Sequence, residues 1–377
     1  MYVPQAQLKN LEKLVLPGKA LIVYGARQTG KTTLVKRYCE SVNESYLYVD
    51  GEDLAVRDAL ESHSVERLKA FVGANRLLVV DEAQSIRKIG RNLKLLIDHV
   101  PDLKIIATGS SSFELAKDVG EPLTGRSYVL HMYPLAQLEL ASMENRHETE
   151  SCLEERLVYG SYPEVVLLRD DSLRKRHLST MVGVYLFKDI LAHENVRDSD
   201  KLRRLLQLLA FQIGKDVSHN ELATQLGMSK NTVARYLDLL EKVFVIFHRN
   251  GFSRNLRKEL SKSNRYYFFD NGVRNALINN FNPLSLRDDA GLLWENYVVS
   301  ERLKRNEYGG LFVSSWFWRT YDRKEIDLVE ESGGQLRGYE MKWKEARKTS
   351  APTDWVKQYP EATFEVVHPG NYLPFIT

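Results

Sequence analysis

Residues Gly25, Ala26, Arg27, Gln28, Thr29, Gly30, Lys31, Thr32 and Thr33 run consecutively and fit the phosphate-binding pattern G-x-x-x-x-G-K-[ST] in full. Gly25 and Gly30 allow the tight backbone path on which successive N–H groups point at phosphate oxygens, and the positive end of a following helix adds to the attraction. Lys31 would reach the β- and γ-phosphates of a nucleoside triphosphate, and Thr32 would ligate Mg²⁺. A second pair, Asp81 and Glu82, closes an apolar run at 77–80. Asp81 would hold the Mg²⁺ through water, and Glu82 would orient and deprotonate the attacking water, a base contribution of about 10² to 10⁴ in rate. Without the loop upstream, the same pair would read only as a helix N-cap.

Thr108 and Ser110 end another apolar run, at 104–109. In open parallel sheets ligands lie beyond the carboxyl ends of the strands, so these hydroxyls would face the γ-phosphate and sense it. The alternative is that the serines at 110–112 cap a short helix at 113–117. Arg126, on a turn after that helix, would reach a γ-phosphate within the chain or across a subunit interface, as an arginine finger worth about 10³ to 10⁵ in rate. A solvated turn arginine is the plain reading of the same residue. The elements that must position these groups are visible as apolar runs of strand length at 20–24, 76–80 and 104–109, a strand-like 127–130, and helical periodicity over 32–38. Together they predict an α/β fold with a parallel sheet.

The chain has 377 residues, enough for two to four domains. Its 53 Lys and Arg against 50 Asp and Glu give a net charge of +3, so any nucleic-acid surface must be local. Cys39 and Cys152 stand far apart, outside metal-ligand spacing and outside any disulfide framework. No signal pattern opens the sequence and no apolar run is long enough to span a bilayer, which predicts a soluble cytoplasmic protein with no membrane partner.

From 134 to 210 the pattern is mostly helical, with a long segment at 172–192, and reads as a lid that reports nucleotide state. Asp189, His193 and Glu194 near its end read as a solvated helix face rather than a metal site. Leu222, Ala223 and Leu226 then form one helix's stripe, Gly227 allows a turn, Ser229 caps a second helix, and Val233, Tyr236, Leu237 and Leu240 form its core face. This is a helix-turn-helix, followed by strands at 243–249 and 265–270 that resemble a wing. Lys230, Asn231, Thr232 and Arg235 would face a DNA groove, and Arg249, Arg254, Arg257, Lys258, Lys262 and Arg265 form a local basic run for phosphates. The same module also serves as a protein or interdomain contact.

In the last part, a helix at 291–305 sets Glu295 beside an apolar stripe, where a carboxylate needs a partner. Strands follow at 312–319, 325–329 and 338–343, the last two joined at Gly333 and Gly334, and the period of two puts Glu340 and Lys342 on one face.

The order of the phosphate loop, the acid pair, the polar strand end and Arg126 resembles the AAA-type branch of P-loop ATPases. Asp81-Glu82-Ala83-Gln84, Thr108-Gly109-Ser110-Ser111, Leu123-Thr124-Gly125-Arg126 and Gly160-Ser161-Tyr162-Pro163-Glu164 resemble a prokaryotic family of such ATPases with an uncharacterised C-terminal domain, over nearly the whole chain. Glu295, Asp327, Glu340 and Lys342 resemble the active site of the PD-(D/E)xK nuclease superfamily. That likeness implies Mg²⁺ on Asp327 and Glu340, help from Glu295, and Lys342 supporting the attacking water; a nuclease-like fold kept for binding alone is the alternative. The expected layout is a P-loop AAA-type ATPase domain at 1–133, a helical lid at 134–210, a winged helix at 211–270 and a PD-(D/E)xK-like domain at 271–377. The expected function is binding and hydrolysis of ATP, chosen over GTP through the resemblance, coupled to DNA or RNA binding or processing. The alternative is a signalling or assembly switch whose last domains bind a protein partner, and in either case the chain is a candidate homo-oligomer.

Overall fold

The apolar runs pair as strands in a computed structural model, which describes residues 2–109, 123–186, 199–253, 264–320, 322, 324–344 and 350–377. Five strands, β1 (Ala20–Gly25), β2 (Tyr46–Asp50), β3 (Leu77–Asp81), β4 (Lys104–Gly109) and β5 (Ser127–Met132), form one sheet in the order β2-β3-β4-β1-β5. Every pair in it is parallel. Side chains alternate across a strand, so a strand buried on both faces is apolar throughout. Leu78 and Val80 of β3 accordingly enter one apolar cluster while Leu77 and Val79 enter another on the opposite face. Because β4 lies between β3 and β1, the carboxyl ends of all three meet at one edge. Tyr24 of β1 is level with Gly109 and Val80 of β3 with Ala107, so Thr108 stands beside Asp81.

Short helices fill the next stretch, among them Leu153–Tyr159, Pro163–Leu167 and Asp171–Thr180. The last continues as a π-helical stretch, Met181–Leu186; Asp189, His193 and Glu194 lie outside the described residues. Three helices, Ser199–Phe211, His219–Leu226 and Lys230–Lys242, then pack with a three-stranded antiparallel sheet of β6 (Asp216–Val217), β7 (Ile246–Asn250) and β8 (Asn264–Phe268), in the order β6-β8-β7. The strand expected from 243 starts at 246, because Phe244 takes a left-handed conformation (φ 59°) that turns the chain out of the helix.

The long helix Ala290–Tyr308 leads into β9 (Ser314–Arg319), β10 (Glu325–Ser332), β11 (Gln335–Met341), the helix Thr353–Gln358 and β12 (Thr363–Val367). The sheet order is β12-β11-β10-β9, with β9, β10 and β11 antiparallel and β12 parallel to β11. Gly333 and Gly334 turn the β10–β11 hairpin at φ 58° and 77°, which suits glycine at both central positions. The long helix is buried on nearly all sides, including Glu295, Asn296, Glu301, Arg302 and Lys304. Its polar groups are therefore paired internally: Lys304 with Glu301 at 2.7 Å, Arg302 with Glu330 at 2.7 Å, and Asn296 with the backbone of Phe268 at 2.8 and 3.0 Å. One apolar cluster joins Ile22 and Leu78 of the first sheet to Leu205, Leu237, Phe268 and Trp294. No helix among the described residues is long and apolar enough to cross a membrane.

Candidate functional site

The helix Lys31–Ser41 begins directly on the loop, at Gly30 with φ 92° and no side-chain cap, so its first N–H groups remain available to an anion. Gly30 is favoured by its left-handed conformation, and a Cβ there, 2.6 Å from Gln5 Nε2, would push that side chain aside. Gln5 donates to the Gly30 carbonyl at 3.1 Å, and Thr29 Oγ1 donates to Ala26 O at 2.9 Å, so both ends of the loop are braced. Lys31 is buried, its Nζ donating to the carbonyls of Gly25 at 3.0 Å and Ala26 at 2.8 Å, across the mouth of the loop.

Asp81 is the hub of the site. Its Oδ2 accepts from Thr32 Oγ1 at 2.8 Å and from the Tyr48 hydroxyl at 2.5 Å, and its Oδ1 accepts from Thr108 Oγ1. Thr108 Oγ1 in turn accepts the Glu82 backbone N–H at 3.1 Å. Thr108 has no exposed surface. The direct γ-phosphate contact expected of it is therefore replaced by a positioning role: it locks Asp81 and Glu82 to one another. Ser110, expected beside it, lies outside the described residues. Glu82 is turned by a left-handed backbone (φ 48°), and Gln84 Nε2 donates to its carboxylate. Thr32 and Asp81 bring two hard oxygen donors together next to the uncapped helix, a set that fits Mg²⁺. Tyr48 and Gln84 were not foreseen: Tyr48 lies on β2, and burial and the bond to Asp81 push its hydroxyl pKa well up.

Arg126 stands elsewhere. The N–H of Ala20, the first residue of β1, donates to its carbonyl at 2.9 Å, so it sits at the opposite end of the strand from Gly25. The five steps along the six residues of β1, at about 3.3 Å each, put roughly 17 Å between it and its own loop. Its guanidinium instead pairs with Asp98 at 2.9 Å. A finger role within the chain is corrected by this placement; reach into another copy's site is not.

Beside Ala26 and Arg27 the loop shares an apolar cavity with Tyr162 and Met181 of the helical segment and with Phe244, Phe269 and Asp270. Asp270 is buried, and burial raises its pKa. It accepts the Ser161 N–H at 2.7 Å and caps the helix Asn271–Leu277 through Val273 N at 3.0 Å. The Gly160 to Pro163 turn is thereby tied to the strand end that follows the second helix pair.

In the helix-turn-helix segment the expected caps form, Ser218 accepting Glu221 N and Ser229 accepting Thr232 N, and Gly227 (φ 58°) makes the turn. Val233, Tyr236, Leu237 and Leu240 are buried as expected. Lys230, Asn231 and Arg235 are exposed; Thr232 is half-buried, with its hydroxyl held by Ser229 at 2.8 Å. The basic run is corrected at both ends: Arg249 lines an inner cavity against the long helix, and Arg265 is 3% exposed. Arg254, Arg257, Lys258 and Lys262 lie outside the described residues.

The four residues expected to form the C-terminal site do come together. Tyr267 donates to Glu295 Oε1 at 2.8 Å, Met341 N to Asp327 Oδ2 at 2.8 Å, and Lys342 Nζ to Glu340 Oε1 at 2.6 Å. Burial and Asp327 push the Glu295 pKa up, and burial and Glu340 push that of Asp327 up. Arg265, from β8, reaches into the same cluster, 3.6 Å from Asp327 Oδ1. No group of three or more His, Cys, Asp or Glu among the described residues is arranged to hold a metal ion. At the expected Mg²⁺ ligands Asp327 and Glu340 the positive charge is supplied by Arg265, beside Asp327, and by Lys342, bonded to Glu340.

Residues 17–141 match the AAA domain family, residues 150–284 a domain of unknown function (DUF8612) and residues 290–372 a second domain of unknown function (DUF4143). The nucleotide-binding part of the chain is thus an AAA-type ATPase domain. An uncharacterised protein of Mycobacterium tuberculosis is 27% identical over 348 residues, covering 91% of this chain and 74% of its own. One of Methanocaldococcus jannaschii is 24% identical over 340 residues, covering 85% and 74%. Among solved structures, the replication initiator DnaA bound to AMPPCP and single-stranded DNA aligns with a TM-score of 0.32 at 16% identity, over 64% of this chain and 90% of that one. A signal-transduction ATPase with numerous domains from Pyrococcus horikoshii aligns with a TM-score of 0.29 at 12% identity, over 81% and 46%.

Proposed function

We propose that this protein is an ATP-driven switch in which the nucleotide held at the Gly25–Thr33 loop sets the position of a winged helix, whose exposed second helix engages nucleic acid. The observation that carries this reading is the shared cavity: Ala26 and Arg27 of the phosphate loop face Phe244, Phe269 and Asp270 directly. A change at the phosphates is felt there without any intervening element. In the bound state the loop N–H groups and Lys31 hold the β- and γ-phosphates, Lys31 exchanging its two carbonyl partners for phosphate oxygens. Thr32 and Asp81 would hold Mg²⁺, which neutralises charge developing on the phosphoryl oxygens. Glu82, held by Gln84 and by the Thr108 brace, orients and deprotonates the attacking water. The order of helices and strands from 199 to 268 supports the winged-helix reading. Exposure of Lys230, Asn231 and Arg235 on the second helix favours nucleic acid over an internal docking role for that face.

The test is Mg²⁺-dependent ATP turnover with and without single-stranded DNA, duplex DNA and RNA, with Glu82→Gln as the inactive control. Stimulation by one polymer, falling steeply with salt and lost in a Lys230→Ala, Arg235→Ala double variant, is the expected result. Turnover indifferent to all three polymers, with no polymer bound, would refute the nucleic-acid part and leave a switch directed at protein.

A further inference from the structure

The carboxylates Asp216, Glu295, Glu325 and Asp327 come from three separate stretches of the chain and surround one guanidinium. Arg265 Nε donates to Asp216 at 3.1 Å, Nη2 to Glu325 at 2.5 Å, and Nη1 lies 3.6 Å from Asp327. Its carbon stands over the Phe317 ring at 4.5 Å, and only 3% of the residue is exposed. The neighbouring strand residue Tyr267 donates to Glu295, and Gly214 presses so closely on that carboxylate that a Cβ there would lie 2.7 Å from Oε1. Glu295 and Asp327 are therefore covered by Gly214 and by Arg265 and Tyr267 of β8, and β8 supplies their positive charge.

We infer that Arg265 occupies the place of a divalent cation, so that the Glu295–Asp327–Glu340 cluster is a lock holding the three-stranded β6-β8-β7 sheet on the C-terminal sheet, and is closed to metal while the two are docked. The guanidinium stands on the Oδ1 side of Asp327 and Met341 N takes one acceptor position of Oδ2, so a cation held by this carboxylate would be set against the arginine's charge. Arginine suits this place because its planar fork serves two carboxylates at once while the ring below takes its flat face. The orphaned Glu340 Oε2, buried without a hydrogen-bond partner, is the atom that a metal would claim once the arginine withdrew. This inference does not rest on the ATP reading.

The experiment is Mn²⁺ binding followed by electron paramagnetic resonance on the full chain, without nucleotide and with Asp81→Asn present to remove the site at the phosphate loop. The chain with Arg265 intact is expected to bind no Mn²⁺ through Asp327, whereas Arg265→Gln gains a site at least tenfold tighter than background that Asp327→Asn abolishes. An Asp327-dependent site in the chain that keeps Arg265, or none in a folded Arg265→Gln chain, overturns the inference. Should Arg265→Gln fail to fold, Asp327→Asn with Arg265 present decides by thermal unfolding. A locked arginine needs that charge, so the variant melts lower; an unfilled metal site is relieved by losing it, so a higher melting point overturns the inference.

Discussion

Replacing Gly160 by alanine tests the joint between the helical segment and the strand end at Asp270. Gly160 adopts φ 74°, ψ −161°, a region open essentially to glycine alone, and a side chain there costs about 1–3 kcal/mol in backbone strain. A Cβ would also fall against both carboxylate oxygens of Asp270, 2.5 Å from its Cγ. That carboxylate is buried and accepts two backbone N–H groups, from Ser161 at 2.7 Å and Val273 at 3.0 Å. Displacing it weakens at least one hydrogen bond to a charged group, about 1.5–3 kcal/mol. The expected loss is about 3–6 kcal/mol, a large part of the roughly 5–15 kcal/mol of a native protein. Gly227→Ala is the control: its φ is also positive (58°), yet a Cβ meets nothing within 4 Å, so only the left-handed cost of about 1–2 kcal/mol applies. Urea unfolding followed by circular dichroism measures both. A Gly160→Ala loss no larger than that of Gly227→Ala would refute the reasoning, because the carboxylate would then have moved aside at no cost.

Three further outcomes follow from the geometry. Thr108→Val leaves the Glu82 N–H and Asp81 Oδ1 without their shared partner, so turnover falls about 10- to 100-fold while ATP binding persists; unchanged turnover would remove Thr108 from the mechanism. Arg126→Ala leaves ATP binding to the isolated chain intact and abolishes only the rise of specific activity with protein concentration; a loss already present at high dilution would place the arginine back in its own site. Glu139 is buried, accepts the N–H groups of Ala6 and Ala136 at 2.8 Å each, and burial pushes its pKa from 4.5 up to about 7. The native chain thus holds a proton there that the unfolded chain releases between pH 4.5 and about 7; this stability is complete below that window and is lost as pH rises through 7. Calorimetric unfolding in buffers of different ionisation enthalpy counts that proton, and Glu139→Gln should remove it.

The parallel sheet was legible because its inner strands are buried on both faces, which leaves unbroken apolar runs such as Leu77 to Val80. β2 escaped notice since it is an edge strand whose Tyr46 and Asp50 face solvent, and with it went Tyr48, the donor to Asp81. Loop and acid pair were readable as motifs because local backbone geometry makes them work. Thr108 was found but misassigned, since a sequence does not tell whether a hydroxyl at a strand end points at the ligand or sideways at the next strand. Arg126 was misplaced within the chain for a related reason: its pattern fixes neighbours along the strand and not which end of the sheet they occupy. The two described ends of the basic run were misread most plainly. Arg265 meets Glu325 across a separation of 60 residues and Asp216 across 49, so a count of nearby acids made a buried ion cluster look like an open cationic surface.

The long helix also constrains how this chain is made. β5 is the outer strand of the nucleotide sheet, and the residues around it are completed from far downstream. Tyr133 N donates to the Tyr308 hydroxyl oxygen at 3.1 Å, Asn10 donates to Tyr308 O at 2.8 Å across 298 residues, and Gln137 N donates to Glu301 at 2.5 Å. During synthesis the nucleotide sheet emerges first, with Gln7 already able to donate to the His131 carbonyl, yet this flank lacks its partners from the long helix until residue 308 has left the ribosome. At roughly 5–20 residues per second, the 176 residues that separate His131 from its partner Glu307 take about 10–35 seconds to appear. For that interval an outer strand of the nascent sheet lacks the side-chain partners that pin its end, at the position where pairing with a stranger is a hazard.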